Sequence, residues 1–461
     1  ATHLPFQILI FLPSFPVFMA DLNSILIAVI VISIYSIIVF ILWKYKWLEK
    51  HNFTPWAGPI LMWKTTRGRE FLDKLAKHKR FWKWYANICI VISLVSMVFI
   101  TALLVWSVSK VTLIPKDKAP TPEMLLGIPG INPFIPVFYG IIALVIAIVF
   151  HELSHGVLSR VANLHVKSMG LLLFIFPIGA FVEPDEEQLL KTTRIKRARV
   201  VAAGPGTNII IAFIALAVFS LLLAPAIEPN AEGVGILGVD EKTPASRTTL
   251  QPYDILITLN HTPVRNYEDF KSALNNTKPG QTVEISFYSK NRNTVVHENI
   301  TLEDRYNYTH LEEDRNKAYM GIVPFNHRGF RDLLVNPFSN GISGFLSFLS
   351  LPFLGLSPMD ENFGSFYTIN SPLPAPAFYI LLNIFYWIFW INLMVGLTNT
   401  LPTLPLDAGY MTRDGIEIVL QRTKMKKERR EKVVKALMLL IGLLILFMIL
   451  FQIIGPRIFG A

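Results

Sequence analysis

Six apolar runs divide the chain: Leu22–Trp43, Trp84–Val108, Phe134–Val157, Val200–Leu223, Ala377–Leu397 and Val434–Ile454. Each is long enough to cross a hydrocarbon core, which takes about 20 residues. Lipid offers no partner to a backbone amide, so each run predicts a helix. Two shorter apolar pieces are broken by turn-forming residues. Gly170–Val182 contains Pro177 and Gly179 and predicts a re-entrant hairpin; Leu333–Leu356 contains Pro337, Gly341, Gly344 and Pro352 and predicts a segment at or dipping into the interface. Residues 1–20 are apolar, lack a basic leader and are interrupted by Pro13 and Pro16, which reads as a surface or re-entrant segment rather than a signal peptide.

Between the fourth and fifth runs the pattern changes. Over residues 230–325 charges, Asn and Thr rise, and Thr282–Tyr288 alternates as a strand does. The segment carries Gly233-Val-Gly-Ile-Leu-Gly-Val, Thr243-Pro-Ala-Ser, Gln251-Pro-Tyr-Asp-Ile-Leu-Ile-Thr-Leu-Asn, Phe270 and Pro279-Gly280, and resembles a PDZ domain. That resemblance implies a sheet edge able to receive an extended peptide or chain end. The fold class expected is a polytopic α-helical membrane protein of about six spans with an extracytoplasmic PDZ-like α/β insert. Its parts are residues 1–130 (two spans and a basic loop), 131–229 (first part of a catalytic membrane core), 230–325 (the insert), 326–376 (an interfacial linker), 377–412 (second part of the core) and 413–461 (a basic loop and the last span).

Composition agrees with a membrane setting. Of 461 residues 52% are hydrophobic and only 16% charged, against about 25% charged in soluble domains. The net charge of +10 sits beside apolar runs, as in Lys44–Lys50 and Lys424–Lys432, which marks cytoplasmic loops and excludes nucleic acid as a partner. Placing Lys44–Trp84, Lys191–Arg199 and Arg422–Lys435 in the cytosol satisfies the positive-inside rule and puts 109–131 and 224–376 outside. The outer region carries Asn-x-Ser/Thr acceptors at Asn260, Asn275, Asn299 and Asn307, which suits an exported face. The single cysteine, Cys89, excludes an internal disulfide and a multi-cysteine metal site, and reads as core packing.

The third run leads into His151-Glu152-Leu153-Ser154-His155. On a helix the two histidines, four apart, share a face and can bind one zinc; Glu152 is placed to take a proton from a metal-held water. A third protein ligand is needed. The soluble metzincin continuation is absent, since Leu158 and Val161 stand where Gly and His belong. The other candidates are Asp407, the acidic group Glu183, Asp185, Glu186 and Glu187, and His165. Spans three and five run in the same direction, so His151, His155 and Asp407 reach the same membrane depth. Pro402 and Pro405 disfavour regular helix there, so Asp407 is expected in an extended loop.

Together the His-Glu-x-x-His segment, Asn399-Thr-Leu-Pro-Thr-Leu-Pro-Leu-Asp407-Ala-Gly and Gly204-Pro-Gly-Thr-Asn208 resemble the site-2 protease family. The resemblance implies an intramembrane zinc endopeptidase acting on membrane-anchored proteins, with Zn2+ held by His151, His155 and Asp407, and Glu152 as general base. It implies Asn399 near the metal and Asn208 in the catalytic core, where an amide steadies the substrate backbone or the oxyanion; helix–helix hydrogen bonding is the alternative role. It also implies that the Gly170–Val182 hairpin, through Phe176, Pro177 and Gly179, offers an edge strand to an unwound substrate helix. One position departs from the family: Ala408 follows Asp407 where Gly is usual, a strain if that position needed positive φ. Two other readings remain at this point. One is a CaaX-type membrane metalloprotease with Glu183 or Glu187 as third ligand; the other is a non-catalytic peptide-binding scaffold.

Overall fold

The computed structural model describes residues 22–460 except 58, 66, 67, 126, 175, 355–362 and 424, with backbone only at 22–29, 56, 57, 125 and 176–178. The segment 1–20 lies outside the described residues.

In chain order the elements that matter are α1 (Leu22–Lys44), β1 (Phe53–Ala57), β2 (Ile60–Thr65), α2 (Lys79–Ser109), α3 (Val137–Val161), β3 (Val166–Phe174), β4 (Phe176–Pro184), α4 (Glu186–Lys191), α5 (Arg194–Val201) and α6 (Ala203–Val218). The insert and its flanks contribute β5 (Ile227–Pro229), β6 (Val234–Val239), β7 (Ile255–Leu259), α7 (Tyr267–Asn275), β8 (Thr282–Ser289), β9 (Thr294–Thr301), β10 (Ile322–Phe325), α8 (His327–Val335), α9 (Gly341–Ser350) and β11 (Tyr367–Ile369). The chain closes with α10 (Ala375–Asn399), α11 (Asp407–Gln421) and α12 (Lys427–Phe459).

Among the described residues five helices are long and apolar enough to span a membrane: α2, α3, Ala203–Ala226, α10 and α12. α1 carries the first apolar run; its part with described side chains, Ile30–Lys44, is a shorter apolar helix. Among the described residues, 22–215 together with 387–460 form one compact unit, and Leu216–Tyr386 form the other.

In the first unit β1–β4 make an antiparallel sheet in chain order. Two of its strands come from the basic segment read as a loop. Gly170 is required where β3 meets β2, because a Cβ there would stand 1.8 Å from the Trp63 carbonyl oxygen. The face of α3 that holds His155 continues into a core of Leu72, Val157, Leu158, Val161, Val166, Val182 and Val200. Cys89 is buried as expected, and packs where a Cβ on Gly206 would come within 2.5 Å of its own.

In the second unit the strand order is β9-β8-β7-β6-β10, all neighbours antiparallel, around Val234, Ile236, Leu256, Leu259, Ile285 and Phe287. Asn266 caps α7 by accepting from the Asp269 amide. β5 pairs with β11, so the chain enters and leaves this unit beside one short ribbon.

Candidate metal centre

α3 turns His151 and His155 to one side, and their Nε2 atoms lie 3.1 Å apart. Asp407 faces both: Oδ2 is 3.1 Å from His151 Nε2 and Oδ1 is 3.3 Å from His155 Nε2. Donors about 2.0–2.1 Å from a tetrahedral zinc stand about 3.3 Å from one another, so the spacing matches a common metal. Asp407 Oδ2 is buried without a hydrogen-bond donor, an orphaned acceptor that a cation satisfies. Burial raises the Asp407 carboxyl, but the facing imidazoles, His155 foremost, outweigh it and hold the group below the usual carboxylate range.

Each ligand has a local cause. His155 Nδ1 donates to the Val200 carbonyl, 2.8 Å away, which leaves Nε2 as the free donor atom. His151 Nδ1 is buried with no such partner. Asp407 is not in an extended loop, as the prolines suggested, but is the first residue of α11. Pro405 acts upstream, and Leu406 is the extended N-cap (ψ 154°). An acidic first residue is favoured by the helix dipole. Ala408 is therefore helical, outside the positive-φ positions, and carries no strain. The glycine needed here is Gly409, whose Cβ would come within 2.5 Å of the Thr403 carbonyl group. Glu152, next to His151, accepts from the Val182 amide of β4 at 2.9 Å, so the site abuts the hairpin directly.

The model of peptidase family M50 matches residues 139–448, a stretch that contains every one of these groups. The chain belongs to peptidase family M50. An uncharacterized protein of Methanocaldococcus jannaschii is 26% identical over 397 residues, covering 85% of this chain and 87% of its own. A candidate zinc metalloprotease of Clostridium acetobutylicum is 23% identical over 316 residues (60% and 86%). PDZ domains of SdrC-like proteins from Listeria monocytogenes and Listeria innocua align with 20% of the chain and 88% and 93% of their own, at 18% and 22% identity and TM-scores of 0.18 and 0.17. This M50 chain is a zinc-dependent membrane metalloprotease.

The remaining predicted groups of the M50 peptidase divide clearly. Asn399 spends its amide on the Val395 carbonyl of its own helix, 3.0 Å away. Asn208 is fully buried with neither amide atom hydrogen-bonded. Glu183 accepts from Ser168 at 2.6 Å, Glu187 pairs with Lys191, and Asp185 caps α4. Among the described residues the grouping that can hold a metal is His151, His155 and Asp407.

Several supports have roles that the sequence does not disclose. Gly204 faces the imidazoles so closely that a Cβ there would lie 2.4 Å from His155 Nε2 and 2.6 Å from His151 Nε2. Thr207 joins three helices, bonding Ser154 at 2.8 Å and Tyr85 at 2.7 Å. Small polar residues inside apolar runs were the available signal for that knot. Arg197 and Asp414, a buried bidentate pair, left no local signal at all.

Proposed function

We propose that this metalloprotease cleaves membrane-anchored proteins within or beside the bilayer, at an active site near the cytoplasmic side, with the PDZ-like insert outside. The observation that carries this reading is the convergence of three ligating atoms from two distant segments beside an open strand edge. His151, His155 and Asp407 would hold zinc, which polarises the scissile carbonyl and activates water. Glu152 takes the water proton and delivers it to the leaving amine.

A transmembrane substrate hides its amides in helical bonds and must unwind before a carbonyl is accessible. Among the described residues β4 is an edge strand of its sheet, and it compensates the exposed amides by strand addition. Val182 points its amide away from β3, so alternation turns that of Ala180 the same way. Of the positions chosen from sequence, Pro177 has no amide and Gly179 by the same alternation faces β3, so the outward amide of Ala180 takes the pairing role, that of Val182 being held by Glu152. Asn208, unpartnered and one turn beyond Gly204, is the better candidate for steadying the substrate or oxyanion; Asn399 is already engaged. The insert receives a peptide or chain end.

Replacing Glu152 with Gln is expected to abolish cleavage of a membrane-anchored reporter while zinc content stays at wild-type level. Full activity in that variant overturns the mechanism.

A further inference from the structure

We propose that Arg197 is a positioning residue for the metal-binding carboxylate, and that through it α5 sets both halves of the metal site. The inference rests on His151, His155 and Asp407 being the zinc ligands.

Arg197 is 4% exposed and Asp414 6%. The guanidinium grips the carboxylate with two parallel bonds, Nε to Oδ2 at 2.7 Å and an Nη to Oδ1 at 2.9 Å. Its other Nη donates to the carbonyls of Leu190 and Leu189, 2.7 and 3.2 Å away, at the end of α4. α4 follows β4 directly, so one side chain joins the exit of the hairpin to α11.

Asp414 lies seven residues beyond Asp407, two turns along α11 and within about 20° of the same face. A clamp there fixes both the rotation and the axial position of the helix that carries the ligand. The need is severe. A rotation of about 20° swings a carboxylate about 5–6 Å from the helix axis through about 2 Å, whereas metal–ligand distances hold to about 0.2 Å. Arg194 and Glu417 repeat the α5–α11 link at 3.6 Å, but both are about a third exposed and hold loosely.

The other end of α5 serves His155. The Val200 carbonyl that fixes its ring is one turn after Arg197, and Gly204 follows at the start of α6. α5 is thus a common reference for the imidazole and the carboxylate. Stability does not account for the pair, since a buried ion pair gains little over apolar side chains of equal volume. Bidentate geometry, which a lysine lacks, is what it supplies.

The test uses the full chain in detergent and the double substitution Arg197→Met with Asp414→Leu, which leaves no buried charge unpaired. Asp414→Asn, keeping volume and one acceptor, is measured beside it, with Asp407→Ala as the reference for a lost ligand. Zinc affinity is read by chelator competition, and site geometry from the visible spectrum of the cobalt-substituted protein. The expected result is a folded double variant whose zinc affinity falls at least tenfold with a broadened cobalt spectrum, and Asp414→Asn between it and wild type. Zinc affinity within twofold of wild type in both variants, with an unchanged cobalt spectrum, overturns the proposal. A wild-type chain that binds no zinc overturns the ligand assignment itself, a separate failure.

Discussion

Adding one methyl group at Gly204 tests the metal centre without touching a ligand. Its Cβ would lie 2.4 Å from His155 Nε2, 2.6 Å from His151 Nε2 and 2.7 Å from His151 Cε1. Ordinary contact begins at about 3.5 Å, so the methyl overlaps both rings by about 1 Å on the side where they meet Asp407. Relief requires the imidazoles to move by about that much, several times the roughly 0.2 Å that metal coordination tolerates. Gly204→Ala should therefore lose bound zinc, with affinity down at least about 100-fold, or about 2.7 kcal/mol. Overpacking alone costs about 1–3 kcal/mol of stability, partly offset by the roughly 1 kcal/mol preference of a helix for Ala. Gly206→Ala is the control. It collides with Cys89 at 2.5 Å on the same helix but meets neither histidine. Zinc per protein, measured by atomic emission after gel filtration, should fall in the first variant and hold in the second. Stoichiometric zinc in Gly204→Ala, or equal loss in both, refutes the reasoning.

Other outcomes follow from the same geometry. Asp407→Ala should abolish stoichiometric zinc while Glu183→Ala retains it, and the reverse pattern would restore the glutamate-ligand reading. Asn208→Leu removes two unpaired buried amide atoms, so the melting temperature should rise, by about 1–3 kcal/mol of stability, while peptidase activity falls; a variant that is neither stabler nor less active would show the amide to be idle. Burial holds His327 down at about 4, its ring stacked on Phe366 and donating to the Ala231 carbonyl. The unfolded chain, titrating near 6.5, takes up that proton first, so stability is whole above about pH 6.5 and erodes below it, by about 3 kcal/mol once pH reaches 4. Hydrogen-exchange protection in α8 and β10, each rate taken relative to the intrinsic rate at its pH, should fall over that interval in wild type and less in His327→Gln; equal protection profiles would dismiss the effect.

What the sequence made legible was local. His151, Glu152 and His155 sit on one turn, and a fixed spacing on a helix is enough to bring two imidazoles together. Apolar length located the spanning helices for the same reason, although α2 begins at Lys79, five residues before the apolar run, because its basic first turn is helical too. Tertiary proximity was not legible. β2 pairs with β3 from Leu61 to Leu173, across more than a hundred residues, and Phe53–Ala57 contains a proline that argues against a strand. Arg197 and Asp414 are 217 residues apart and each reads as an ordinary surface charge until folding buries them. Pro402 and Pro405 suggest extended chain around Asp407, but proline constrains the residues before it, and the helix starts two positions after Pro405.

If clients add to the small sheet as proposed, its ends would set how much of each is opened. β1 is blunted by Pro55 and a bulge beside it, so chain addition there is discouraged. β4 is bracketed by Pro177 and Pro184, leaving the six positions 178–183. Six residues are fewer than two helical turns. A client span would melt over that length alone and stay wound, and seated in lipid, on either side.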